Sequence, residues 1–191
     1  MLPLLLASSS PYRRQLLARL GLAFTHASPS IDEARLPHEP ATDLVLRLAM
    51  QKAQALSCGH QGLVIGSDQV AVLGNEVLGK PHTFDNGFQQ LRAASGRRVD
   101  FLTGIALLNT ASGRLQVDQV QFTVHFRDLS DDQIERYLRR DTPYDCAGSF
   151  KAEGLGISLF SKTEGEDVTS LIGLPLIRLV DMLANEGVEV P

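Results

Sequence analysis

The sequence predicts an α/β fold: a long, twisted, mixed sheet flanked by helices, with two lobes around a cleft. Three observations point there. Short apolar runs alternate with segments of helical periodicity. Hairpin turns at Gly74-Asn75 and Ala111-Ser-Gly113 join neighbouring runs, which excludes a purely parallel sheet. At 191 residues with 43% hydrophobic content, the chain can bury a core as one domain or as two small lobes.

The elements follow in chain order. Leu4 to Ala7 reads as a strand buried on both faces. Ser8-Ser-Ser-Pro11 breaks it, because proline lacks an N–H and suits the first turn of a helix. A helix is expected over Arg13 to Leu20, stopped by Gly21, then a strand over Leu22 to His26. Pro29 to Pro40 is turn-rich and reads as a loop. Leu44, Leu48, Ala55 and Leu56 recur near helical spacing within Ala41 to Ser57, before Gly59.

Leu63 to Ile65 and Val70 to Leu73 read as two apolar runs separated by Gly66-Ser-Asp-Gln69. A short strand, Glu76 to Leu78, ends at Gly79-Lys-Pro81. A helix over Thr83 to Ala94 has Thr83 or Asp85 available as cap. Val99 to Asn109 and Leu115 to Arg127 read as long strands. Ser130-Asp-Asp-Gln133 has the spacing of a capping box and opens a helix to about Arg140. A last helix spans Leu174 to Asn185, with Gly187 beyond it. No repeat or linker divides the chain, which reads as a single domain over 1–191.

Bulk properties exclude several classes. A net charge of −4 argues against a broad nucleic-acid surface but leaves room for a local anion site. Cys58 and Cys146 have no metal-site spacing and read as reduced thiols. The apolar start Met1 to Ala7 is short and carries no preceding basic residue, so a buried strand explains it better than a signal peptide. With no run of transmembrane length, a cytoplasmic protein without a membrane partner is expected. His26, His38, His60, His82 and His125 form no ligand or catalytic pattern.

Four clusters can carry chemistry. Ser8 to Arg14 leads small hydroxyl residues into a helix start, where free N–H groups and Arg13 favour an anion; an ordinary cap followed by surface arginines fits equally. Asp32-Glu33 offers paired carboxylates to a hard cation, or is a solvated acidic loop. Asp68 lies among apolar residues and needs a partner or a metal, with Lys52 upstream and Lys80 downstream; the alternative is a purely structural Asp–Lys ion pair. Gly148 to Gly156 packs three glycines with Lys151 and Glu153, as a loop that approaches a ligand or as a turn-rich connection.

In order along the chain, Leu6-Ala-Ser-Ser-Ser-Pro-Tyr-Arg-Arg14, Asp32-Glu33, Lys52-Ala53, Gly66-Ser-Asp-Gln69, Gly79-Lys-Pro81, Ser95-Gly96, Thr103-Gly104 and Ala147-Gly148 resemble the Maf-like nucleotide pyrophosphatases. The resemblance implies a fold similar to inosine triphosphate pyrophosphatases. It also implies cleavage of a nucleoside triphosphate to the monophosphate and pyrophosphate, with a divalent cation, Mg²⁺ or Mn²⁺. Ser8, Arg13, Glu33, Lys52, Asp68 and Lys80 fall on family site positions, and Asp68 matches the proposed proton acceptor.

Physically, Arg13, Lys52 and Lys80 would neutralise the triphosphate, and Glu33 with Asp68 would hold the metal. Tyr12, Gln69 and Glu153 look like the branch acting on 7-methyl-GTP rather than on dTTP or UTP. N7-methylation makes guanine cationic, which suits an aromatic face at Tyr12 and a carboxylate at Glu153, although Tyr12 can also simply pack beside the helix start. The alternatives are a pyrophosphatase for dTTP, UTP or other modified nucleotides, or a nucleotide-binding regulator of cell division. A homodimer is one allowed assembly.

Overall fold

The computed structural model describes residues 2–190. The elements are β1 (Leu4–Ala7), α1 (Pro11–Ala18), β2 (Phe24–Ala27), α2 (Ala41–Ala55), β3 (Leu63–Leu73), β4 (Glu76–Leu78) and α3 (Phe84–Ala94). They continue as β5 (Arg98–Asn109), β6 (Leu115–Phe126), α4 (Asp131–Asp141), β7 (Phe160–Gly165), α5 (Val168–Ile172) and α6 (Leu176–Ala184). Two 3₁₀ turns, Ala147–Ser149 and Leu155–Leu159, lie between α4 and β7.

The strands form one sheet in the order β2-β1-β3-β5-β6-β7, with β4 paired to β3. β1 runs parallel to both β2 and β3, whereas β3/β4 and β6/β7 are antiparallel. The expected mixed sheet flanked by helices is therefore present.

The chain divides into two compact units. The first comprises the described residues of Met1–Asp68, Thr103–Val120 and Thr169–Pro191; the second comprises Gln69–Leu102 and Gln121–Val168. In the first, β1 is buried at every position because its alternating side chains enter two clusters. Leu4 and Leu6 pack with Leu16, Leu17, Leu179 and Leu183 of α1 and α6. Leu5 and Ala7 pack with Ala49 and Ala53 of α2. In the second unit, Phe101, Phe126, Phe150 and Phe160 interlock edge to face at centroid distances of 4.7–5.8 Å.

Local chemistry explains the helix ends. Ser10 caps α1 with its hydroxyl and Pro11 takes the first turn, so the helix starts ahead of Arg13. Thr83, not Asp85, caps α3. Ser130 and Gln133 form both bonds of the capping box on α4.

Three features differ from the sequence reading. β3 is continuous across Gly66-Ser-Asp-Gln69, because Ser67 and Asp68 are buried with polar partners and do not interrupt the strand. β7 was not expected: only Phe160 of its residues is buried, so it carries no alternating signal. α5 is too short, at 5 residues, to show helical periodicity. Both cysteines are free thiols, and burial pushes the Cys146 thiol up to about 12. Among the described residues, no helix is long and apolar enough to cross a membrane.

Candidate active site

Lys52 is the centre of the charged cluster. It stands in the last turn of α2, where the helix dipole favours a cation. Its ammonium donates to Asp68 Oδ1 at 2.7 Å and pairs with Glu33 Oε1 at 2.8 Å. The Lys52 and Asp68 side chains are only 7% and 11% exposed, whereas Glu33 is 55% exposed. One acid is thus built into the strand while the other reaches in from a loop. Asp32 does something else: its Oδ1 accepts the Ala34 N–H at 2.9 Å, a local turn bond that shapes the loop.

Helix α2 comes close enough to place Lys52 there because two strand glycines lack side chains. A Cβ on Gly66 of β3 would strike the Ala49 carbonyl, and one on Gly104 of β5 would strike the Val45 carbonyl.

Arg13 belongs to the same unit and the same field. Its Nε donates to the Gly173 carbonyl at 2.8 Å. Burial lowers its pKa, and the nearby carboxylates of Asp68 and then Glu33 oppose that shift. The guanidinium stays charged under any ordinary condition. Ser8 is buried, and its hydroxyl accepts the Ser10 N–H at 3.1 Å, which shapes the approach to α1. Tyr12 is half-buried on α1 beside Arg13.

The sequence reading missed the frame that holds Arg13. Ser67 Oγ lies 2.9 Å from the Gly173 carbonyl and 2.8 Å from that of Gly104, so one hydroxyl ties β3 to β5 and to the turn after α5. Thr103 Oγ1 fastens α5 itself by donating to the Ser170 carbonyl at 2.9 Å. Gly173 sits at φ +118°, a conformation that other residues rarely adopt. Gly173 stands just before the helix read from Leu174, and nothing in the sequence connects it to Arg13.

Lys80, Gln69 and Glu153 lie in the second unit. Lys80 is exposed in the irregular segment after β4, and Gln69 is half-buried on β3. Glu153 is exposed, yet partial desolvation raises its carboxyl pKa; Lys151 opposes the shift while Asp141 and Asp145 add to it. Packing accounts for the glycines around it. Added Cβ atoms would meet Phe101 at 3.1 Å from Gly148 and Asp141 at 2.9 Å from Gly154, and the Lys151 carbonyl from Gly156. A turn-rich connection therefore explains them without a ligand.

A family model described as Maf-like protein matches residues 3–186. The chain belongs to this family. Among similar Maf-like relatives, proteins of Pseudomonas putida (67% identical) and Pseudomonas fluorescens (66%) align over 100% of both chains, and each is named 7-methyl-GTP pyrophosphatase. One of the same name from Alcanivorax borkumensis is 60% identical over 98% of this chain and 96% of its own. The fold is shared with the Ham1 protein of Staphylococcus aureus, at TM-score 0.56 and 12% identity over 96% of this chain and 99% of that one. It is likewise shared with a HAM1 protein of Coxiella burnetii, at TM-score 0.53 and 15% identity over 97% and 100%.

The Maf-like cluster also suits a divalent ion. Among the described residues no group of three or more His, Cys, Asp or Glu forms a dedicated cage. Glu33 and Asp68 nevertheless face one cationic centre, the Lys52 ammonium, with hard oxygen donors. Two carboxylates are the usual protein share for Mg²⁺ or Mn²⁺ at a phosphate site, where water and phosphate oxygens complete the shell.

Proposed function

We propose that this chain hydrolyses 7-methyl-GTP to 7-methyl-GMP and pyrophosphate. The observation that carries the reaction class is the packing of Arg13, Lys52, Glu33 and Asp68 into one cluster of two cations and two acids. The names of full-length relatives at 60–67% identity support the choice of base.

Arg13 and Lys52 neutralise and orient the triphosphate, which is the main task in phosphoryl transfer. Asp68 accepts the proton of the attacking water, whose oxygen bonds to the α-phosphorus. The bond from that phosphorus to the α–β bridging oxygen breaks, and pyrophosphate departs. Glu33 and Asp68 are the residues that would hold Mg²⁺ or Mn²⁺, which supplies charge neutralisation and a more acidic bound water. Ser8 shapes the loop entering α1 for the phosphates. By the family resemblance, Lys80 contributes positive charge for the triphosphate, and Tyr12, Gln69 and Glu153 each bear on base preference.

The test is pyrophosphate release from 7-methyl-GTP, GTP, dTTP and UTP with Mg²⁺ or Mn²⁺. The highest kcat/KM is expected for 7-methyl-GTP, and a chelator should abolish turnover. A preference for dTTP overturns the base assignment. Tight nucleotide binding without pyrophosphate release overturns the reaction.

A further inference from the structure

Glu33 is mostly exposed and sits in a loop without regular structure, so burial does not hold it against Lys52. The loop that carries it is tied to α2 close by. The buried Glu39 carboxylate receives Arg47 of α2 through both oxygens, Nε to Oε1 at 2.6 Å and Nη2 to Oε2 at 2.8 Å. The Leu36 N–H donates to the same carboxylate at 3.1 Å, and Arg35 Nε donates to the Glu39 carbonyl at 2.8 Å. Arg47 Nη2 also reaches the carbonyl of Ala34, the residue following Glu33, at 3.0 Å.

We propose that the Glu39–Arg47 pair is a positioning clamp that fixes Glu33 at the Lys52–Asp68 site. In this proposal both act through the loop backbone. Arg47 and Lys52 share one rigid helix, about 7.5 Å apart along its axis from the rise per residue. The arginine's planar fork therefore transmits the position of α2 to the loop backbone beside Glu33. A carboxylate bridging Arg47 to the Leu36 amide suits this task, because it joins side chain and main chain in one rigid unit. A surface ion pair with no backbone partner could not do so. The inference rests on the metal-holding role proposed for Glu33 above.

The experiment uses Glu39→Gln and Arg47→Lys in the full chain, with three readouts: amide exchange, Mn²⁺ binding by the protein alone, and pyrophosphate release. Arg47→Lys retains the charge but not the fork, and it guards against a misfolded Glu39→Gln. Both variants should speed exchange at Leu36 while leaving the amides of β1 and β3 protected. Mn²⁺ affinity should fall by about tenfold, as for other supports of metal ligands. kcat should fall comparably, with a smaller change in nucleotide KM. Faster loop exchange with wild-type Mn²⁺ affinity and kcat overturns the clamp, as does unchanged exchange. An inactive wild-type protein would overturn the functional reading instead.

Discussion

Asp68 and Lys52 meet at 2.7 Å inside the first unit, and Glu33 supplies the lysine with a second carboxylate. The cluster is therefore unequal in its response to loss of charge. Asp68→Asn keeps the shape of the side chain and leaves Lys52 paired with Glu33. Turnover should fall about 10³-fold, in the range for loss of a general base, with a loss of about 1 kcal/mol in stability. Lys52→Met instead leaves two carboxylates facing each other without their cation. Breaking a buried pair in this way costs about 3–5 kcal/mol, and for a chain of this size each kcal/mol shifts Tm by about 2–4 °C. Thermal unfolding of both variants checks the asymmetry. Equal Tm losses would show that Glu33 does not sustain Lys52 once Asp68 loses its charge.

Much of this cluster was legible because burying Asp68 in an apolar run requires a partner, and Lys52 was the cation one helix away. Of the two lysines that flank Asp68 in sequence, Lys52 is the one that pairs with it. The capping box, glycine stops and helical spacings likewise located most helices, since those signals are local. What escaped detection has no local signal. The Gly173 carbonyl reaches Arg13 across a separation of 160 residues. Glu39 looked like any loop acid, although Arg47 lies 8 residues away. Strand β7 exposes all its residues after Phe160, so its place is set by pairing with β6 rather than by its own pattern.

Gly66 separates packing from chemistry. An added methyl would meet the Ala49 carbonyl and come within 2.8 Å of the Ala53 nitrogen, both on the backbone of α2. Backbone cannot swing aside as a side chain can, so the helix must move and carry Lys52 with it. Gly66→Ala should cost about 3 kcal/mol, the upper end for overpacking, and should weaken Mn²⁺ binding. Gly79→Ala, where nothing lies within 4 Å, should unfold like wild type. A wild-type Tm for Gly66→Ala would mean that α2 does not depend on this close approach.

Base preference should depend on pH through Glu153. Desolvation raises its carboxyl pKa; its own backbone N–H and Lys151 pull it down, and Asp141 and Asp145 push it up. A raised pKa keeps the group protonated to higher pH than an ordinary glutamate, and only the ionised form attracts a cationic base. The ratio of kcat/KM for 7-methyl-GTP over GTP should therefore fall with acidification sooner than an unshifted glutamate would allow. In Glu153→Gln the ratio should be lower, by about tenfold for loss of one charge-assisted contact, and flat with pH. Parallel pH profiles for wild type and variant would remove Glu153 from base recognition.

Acid should release the Glu39–Arg47 pair before it unfolds the hydrophobic core. The hydrogen bond from Arg47 is the largest cause holding the Glu39 carboxyl down at about 2, from an ordinary 4.5; Arg35 and the Leu36 N–H act in the same direction, against desolvation. Because the folded-state value is depressed, the pair's contribution to stability is complete above the unfolded-state value. It declines as pH falls below about 4.5 and disappears as pH passes through about 2. The difference in Tm between wild type and Glu39→Gln should be constant at neutral pH and close over that window. The protection of the Leu36 amide, relative to its intrinsic exchange rate at each pH, should fall over the same range, since its acceptor is the carboxylate being protonated. A Tm difference that persists unchanged through the acid range would show that Glu39 contributes by packing rather than by charge.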